Sequence, residues 1–256
     1  MAHMKVIIAL LAVLALAGCI TTTTGTNAAA SSPDEAAEYN MQLGISYLRQ
    51  NKLQLARTKL EHAIKLDPNL ATAHAALGVV FERLEDPVGA EKHYRRAVDL
   101  NPRNPDTLNA LAIFTCSRKQ QPKEALRLFD QALAIPLSVS NANRAMLNTN
   151  AGTCAKSVDI NRAEGYLRAA LADNPNYADA LFQLAEITLD AGRAFQSRAF
   201  IERYLTVTPP SPSGLWLAVR IERAMNDTRA ADDYAADLLK QFPASNEARQ
   251  LTESGS

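Results

Sequence analysis

The strongest constraint on this chain is a pattern of small and large residues that returns every 34 positions. Leu43-Gly44-x-x-Tyr47, then Ala56, Leu60, Ala63 and Pro68, is followed by Leu77-Gly78-x-x-Phe81, then Ala90, Tyr94, Ala97 and Pro102. A period of this size marks a supersecondary unit that buries its apolar face only by stacking on copies of itself. Small residues at Gly44, Ala56, Gly78 and Ala90 let two antiparallel helices close, while Tyr47, Leu60, Phe81 and Tyr94 fill the space between them. Pro68 and Pro102 stop each second helix, because proline lacks an amide donor and disfavours helix in the residue before it. With 45 alanines, ten glycines and seven phenylalanines among 256 residues, a β-sandwich or barrel is excluded in favour of closely packed helices. The length is enough to bury a core without metal or disulfide staples.

The spacing resembles that of the tetratricopeptide repeat, and the later segments continue it with irregularities. Leu108, Leu111, Ala112, Ala125, Phe129, Ala132 and Pro136 make a third copy, with one extra residue before Ala125. Ala151, Gly152, Ala163, Leu167, Ala170 and Pro175 make a fourth, after an irregular connection over 137–143. Leu181, Leu184, Ala185, Ile201 and Pro209 make a fifth, with Ser197 where alanine is expected; Leu217, Ala218, Ala230, Tyr234 and Pro243 make a sixth. The resemblance implies an all-α, right-handed superhelical solenoid of about six repeats, near 37–70, 71–104, 105–138, 145–177, 178–210 and 211–244, within a domain of residues 34–251.

The amino terminus belongs to targeting. Lys5 precedes an apolar run of twelve residues, Val6 to Ala17, and Leu16-Ala17-Gly18-Cys19 closes it. Twelve residues fall short of the about 20 that a spanning helix needs, so residues 1–18 read as a cleaved signal peptide. The closing tetrapeptide resembles the bacterial lipoprotein signal, which implies lipidation of Cys19; several acyl chains, at about 0.8 kcal/mol per buried methylene, would anchor the protein stably. Ile20, where the enteric sorting rule reads an aspartate as inner-membrane retention, favours the outer membrane by the same resemblance. Residues 19–33 are polar and small, a tether spanning at most roughly 50 Å.

In stacked helix pairs the first helices line a concave surface that receives peptides or helices. The tetratricopeptide resemblance places the second, fifth, ninth, twelfth and thirteenth residues of each repeat on it. That projects Met41, Ile45, Leu48 and Arg49 from the first repeat, with Val79, Glu82 and Arg83 from the second. The third and fourth repeats offer Asp106, Asn109, Thr149, Thr153 and Lys156, so an exposed apolar patch is expected only at the amino-terminal end. The alternative is that residues 28–35 fold back over it and make it core.

Cys116 and Cys154 lie in the first helices of neighbouring repeats, and an extracytoplasmic compartment favours their oxidation to a disulfide. Closing about 38 residues is worth up to ~4 kcal/mol. Two separate buried thiols are the alternative. No catalytic or metal constellation is legible. His62, His74 and His93 are twelve and nineteen residues apart, no glycine-rich phosphate cradle is present, and His62 and His93 on second helices read as solvated. Equal numbers of basic and acidic residues, 27 each, give no field for nucleic acid. No cofactor, metal or small-molecule substrate is expected.

The mature chain resembles the type IV pilus biogenesis and stability lipoproteins, the pilotins of the pilus secretin, through three features: the lipoprotein start, six repeats filling the chain, and the carboxy-terminal run from Leu215-Trp216-Leu217 through Asp232-Asp233-Tyr234 to Phe242-Pro243. The resemblance implies a non-enzymatic outer-membrane lipoprotein, facing the periplasm, that assists localisation or assembly of the secretin. A general scaffold lipoprotein serving barrel assembly or a peptidoglycan enzyme shares the tether and repeats and is the alternative.

Overall fold

A computed structural model of the chain describes residues 32–138 and 143–253, and every regular element among them is a helix. The targeting segment, Cys19 and residues 20–31 of the tether lie outside the described residues. Six antiparallel pairs follow one another: α1 (Pro33–Arg49) with α2 (Leu53–Leu66), α3 (Ala71–Arg83) with α4 (Pro87–Leu100), and α5 (Pro105–Ser117) with α6 (Pro122–Ala134). Then come α7 (Arg144–Ala155) with α8 (Ile160–Asp173), α9 (Ala178–Asp190) with α10 (Ala194–Val207), and α11 (Pro212–Ala224) with α12 (Thr228–Gln241). A short α13 (Asn246–Glu253) closes the series. Each pair packs on the next, as the repeat period requires.

The helix ends are written into the sequence. Ser32 accepts from the Glu35 amide while the Glu35 side chain accepts from the Ser32 amide, a reciprocal cap that starts α1. Asp86, Asn104, Asn143, Asp159, Ser211 and Asp227 cap later helices through their side chains. Proline takes the first helical position in α1, α4, α5, α6 and α11, where its missing donor costs nothing. The tether's last residue, Pro33, therefore belongs to α1.

Close approach within a pair is set by one small residue facing one large one. A Cβ on Gly44 would lie 2.6 Å from Leu60 Cγ, one on Gly78 2.5 Å from the Tyr94 ring, and one on Gly152 2.8 Å from Leu167 Cγ. In the other pairs alanine stands there: Ala112 shares a buried cluster with Phe129, and Ala185 and Ala218 share one with Ile201. Between pairs, Glu164 of α8 holds Arg193 at 2.6 Å, and within α8 it holds Arg168 at 2.7 Å; these guanidinium groups keep its carboxyl down at about 2, Arg193 contributing most.

The turn inside each pair fixes the phase of its second helix. The left-handed residue ending the first helix comes seven positions after the small residue at Asn51, Glu85 and Gly192, but eight after it at Gln120 and Asn226. The added residue displaces α6 and α12 by one. In the third repeat that displacement is visible in the sequence at Ala125. In the sixth it is not: the structure buries Ala231 and Leu238, and Ala230, expected at the seam, is only partly covered. Beyond α12 the pattern gives no further repeat, yet Ala248 and Leu251 of α13 cover Leu215, Val219 and Leu238 and cap the exposed end of the stack.

Two glycine substitutions separate packing from propensity. Gly78→Ala forces the Tyr94 ring aside and should lower stability by about 1–3 kcal/mol. Gly165→Ala, in α8 with nothing within 4 Å of the added carbon, should raise it by about 0.5–1 kcal/mol. Chemical unfolding followed by circular dichroism reads both, and equal effects of one sign would contradict the account.

Candidate functional site

The first helices of the pairs, α1, α3, α5, α7, α9 and α11, form one face, and polar bonds tie each to its neighbour. Asn150 Nδ2 donates to Asn109 Oδ1 at 3.0 Å, and Thr153 Oγ1 donates to Gln183 Oε1 at 3.0 Å. Lys156 pairs with Glu186 at 3.4 Å and Arg220 with Asp190 at 3.4 Å. Toward the amino end Arg118 pairs with Glu82 at 3.1 Å, Glu82 also accepts from the buried Tyr94 hydroxyl at 3.0 Å, and Arg83 donates to the Leu48 carbonyl at 3.2 Å. Most of the polar groups projected onto this face are consumed in holding it together. Asn109 and Thr149 are buried by it, whereas Asp106 and Thr153 stay exposed.

The expected apolar patch of the first two repeats is not an open surface. Met41 is 6% exposed and Leu48 9%, both inside a cluster with Ala73, Ala76, Leu77 and Val80. Ile45 and Val79 are partly covered against the same cluster, and Arg49 and Arg83 are exposed. The reason is the neighbouring first helix: α3 lies across α1, so positions that an isolated pair would present to a partner fill the seam between repeats. Aromatic surface remains instead at the carboxy-terminal end, where Phe182 of α9 and Trp216 of α11 are half-buried. The signal for it was available, since Phe182 holds the fifth position of its repeat, flanked by Asp179 and Glu186 at the second and ninth.

Cys116 of α5 and Cys154 of α7 meet, with Cα atoms 6.0 Å apart and the sulfurs joined at 2.03 Å. Of the histidines, His62 is exposed, whereas His93 is partly covered. It stacks on Phe81 with centroids 5.2 Å apart and on His74 at 5.3 Å. His74 Nε2 faces the Pro68 carbonyl at 3.2 Å, which only accepts, so that nitrogen carries the proton; its Nδ1 then accepts from His93 Nδ1 at 3.1 Å. Burial pushes both rings toward the neutral form, His93 down to about 4, with His74 and Lys92 adding to the effect. Among the described residues no group of three or more histidine, cysteine or acidic side chains is arranged to hold a metal ion, and no helix is long and apolar enough to cross a membrane.

The tetratricopeptide repeat model matches residues 41–105 and 157–213. The type IV pilus assembly protein PilF of Pseudomonas aeruginosa is 25% identical over 219 residues, 85% of each chain. Among solved structures, PilW, a type IV pilus biogenesis factor, superposes with a TM-score of 0.77 at 28% identity, covering 84% of this chain and 98% of that one. The structure of Pseudomonas aeruginosa PilF superposes at 0.76 with 26% identity, covering 87% and 99%.

Two measurements follow from this geometry. Because the folded His93 pKa of about 4 lies below the unfolded value near 6.5, stability is full above pH ~6.5 and is lost as pH falls from there toward 4, by about 1–3 kcal/mol. His93→Gln should shrink that loss, read as urea midpoints at pH 7 and 4.5; an unchanged slope would show the pair to be acid-indifferent. For the cysteines, alkylation of protein unfolded without reductant should label neither Cys116 nor Cys154, and mass spectrometry finding both labelled would exclude a bridge in the isolated protein.

Proposed function

We propose, from the premise that this chain is a tetratricopeptide-repeat protein homologous to the type IV pilus biogenesis factors PilW and PilF, that it is an outer-membrane lipoprotein assisting localisation or assembly of the pilus secretin. The observation carrying this reading is the closeness of the likeness to PilW, a TM-score of 0.77 at 28% identity across 84% of the chain and 98% of its counterpart. The lipoprotein signal ending at Cys19 supports the anchor. Residues 20–31 supply the reach from bilayer to α1, and the folded part then stands in the periplasm.

The partner contact in this reading runs along the first helices of repeats one and two. Met41 and Leu48 act from beneath as support, Ile45 and Val79 give partly exposed apolar edges, and Arg49 and Arg83 give the exposed charge. A secretin segment laid there gains area from Ile45 and Val79 and orientation from the guanidinium groups. A disulfide between Cys116 and Cys154 would hold the third and fourth repeats in register across their irregular connection.

Co-purification from detergent-solubilised outer membrane tests the partner: a secretin should dominate the eluate, whereas barrel-assembly factors or peptidoglycan enzymes in its place would favour a general scaffold. Cys19→Ala should yield a folded protein absent from the outer-membrane fraction, and palmitate labelling equal to wild type would sink the anchor. Arg49→Glu combined with Arg83→Glu should impair secretin assembly with stability altered by no more than about 0.5–1 kcal/mol; normal assembly in that variant would move the contact elsewhere.

A further inference from the structure

The concave face changes character between α9, α11 and α13. Two adjoining cavities open there. One, of about 280 Å³, is lined by residues that include Phe182, Glu186, Trp216, Arg220 and Glu247. The other, of about 180 Å³, is lined by Asp179, Phe182, Gln183, Tyr204 and Ser213. They share Phe182 and Ser213, so Phe182 is a partition between two halves of one trough. The Phe182 ring packs against Tyr204, with centroids 5.3 Å apart, and Trp216 is packed against the cluster that α13 completes. The floor is thus aromatic, packed against its neighbours and still half-exposed.

Its charges are unevenly spent. Arg220, the one cation lining either cavity among the described residues, is engaged by Asp190 at 3.4 Å. Glu186 is answered by Lys156 at 3.4 Å. Asp179, in one cavity, and Glu247, in the other, have no ion-pair partner among the described residues. A carboxylate without a counter-ion therefore lines each of the two cavities that meet at Phe182.

We propose that this trough is a docking site for an extended segment of a partner protein carrying one large apolar side chain with lysine or arginine on both sides. The apolar side chain lies over Phe182 and Trp216, where a packed aromatic floor concentrates contact area at little cost in rotamer freedom. The flanking cations meet Asp179 and Glu247, so the charge pattern selects the partner and orients it. Ser213 and Gln250 along the walls, with the side-chain amide nitrogens of Gln183 and Asn246, offer hydrogen bonds to an extended backbone. The surface is separate from that of repeats one and two, and the inference stands whether or not the secretin is the partner there.

Trp216 is the chain's one tryptophan, so its fluorescence reads occupancy directly. The probe is the tryptophan-free peptide acetyl-Gly-Ser-Lys-Phe-Arg-Ser-Gly-amide, titrated into the whole folded protein. Saturable change in Trp216 emission below about 1 mM is expected, with affinity falling roughly tenfold or more when the probe's basic residues are replaced by Asp and Glu. Phe182→Ala should abolish saturation. Asp179→Asn with Glu247→Gln, two carboxylates that hold no internal pair, should weaken binding roughly tenfold while leaving the helical melting curve in place. No saturable response, equal binding of the acidic peptide, or undiminished binding by the double variant would each overturn the proposal.

Discussion

Everything in this molecule hangs on the contact between a residue without a side chain, or with only a methyl, and a bulky residue on the returning helix. Where Gly78 meets the Tyr94 ring, an added carbon would sit 2.5 Å from it, well inside van der Waals contact. This brings the two helices of a pair close and fixes their rotation about one another. Rotation decides which residues of the first helix turn toward the next pair and which remain on the concave face. A methyl of difference at this position is therefore felt beyond its own pair, because helix packing transmits small displacements instead of absorbing them.

The same contact explains what could be read from the sequence. Small and large residues at fixed separation are a pattern of identities, and identities are visible without coordinates, so the helix pairs and their stacking were legible. The inserted turn residue was legible only where a later alanine recorded the shift, as at Ala125. In the sixth repeat two adjacent alanines, Ala230 and Ala231, both satisfy the pattern, and only the turn conformation at Asn226 distinguishes them. Exposure was less legible still. Met41 and Leu48 sit at positions that face a groove by rule, but whether a particular side chain reaches solvent depends on what α3 places opposite, a property of two repeats together. His93 shows the same limit: its position on a second helix says surface, and its neighbours Phe81 and His74 cover part of it.

Three contacts between successive first helices share a stagger that the sequence does not announce. Counted from the small residue of each repeat, Lys156 lies four positions on and its partner Glu186 one; Asp190 lies five on and its partner Arg220 two. Cys116 lies four on and Cys154 two. These three step back by two or three residues from one helix to the next, whereas Asn150 lies one position later in its repeat than Asn109 and Arg118 two later than Glu82. Unequal positions in the repeat, which argue against a pairing if repeats are laid side by side as text, are what this offset brings together.

The polar bonds across the concave face also decide where recognition can happen. Exposed ion pairs contribute little to stability, with medians of about 0–1 kcal/mol, so their larger consequence is to withdraw charge from any partner that approaches. Arg118, Lys156 and Arg220 each already face a carboxylate. A partner offering another acid gains little from them, since it would have to displace a group tethered to the same surface. Groups left over by this accounting have no such competitor. They include Arg49 on α1, Asp106 on α5, Asp179 on α9 and Glu247 on α13. Among the described residues the inner face therefore keeps unpaired charge of opposite sign in different repeats, a guanidinium at Arg49 and carboxylates at Asp106, Asp179 and Glu247.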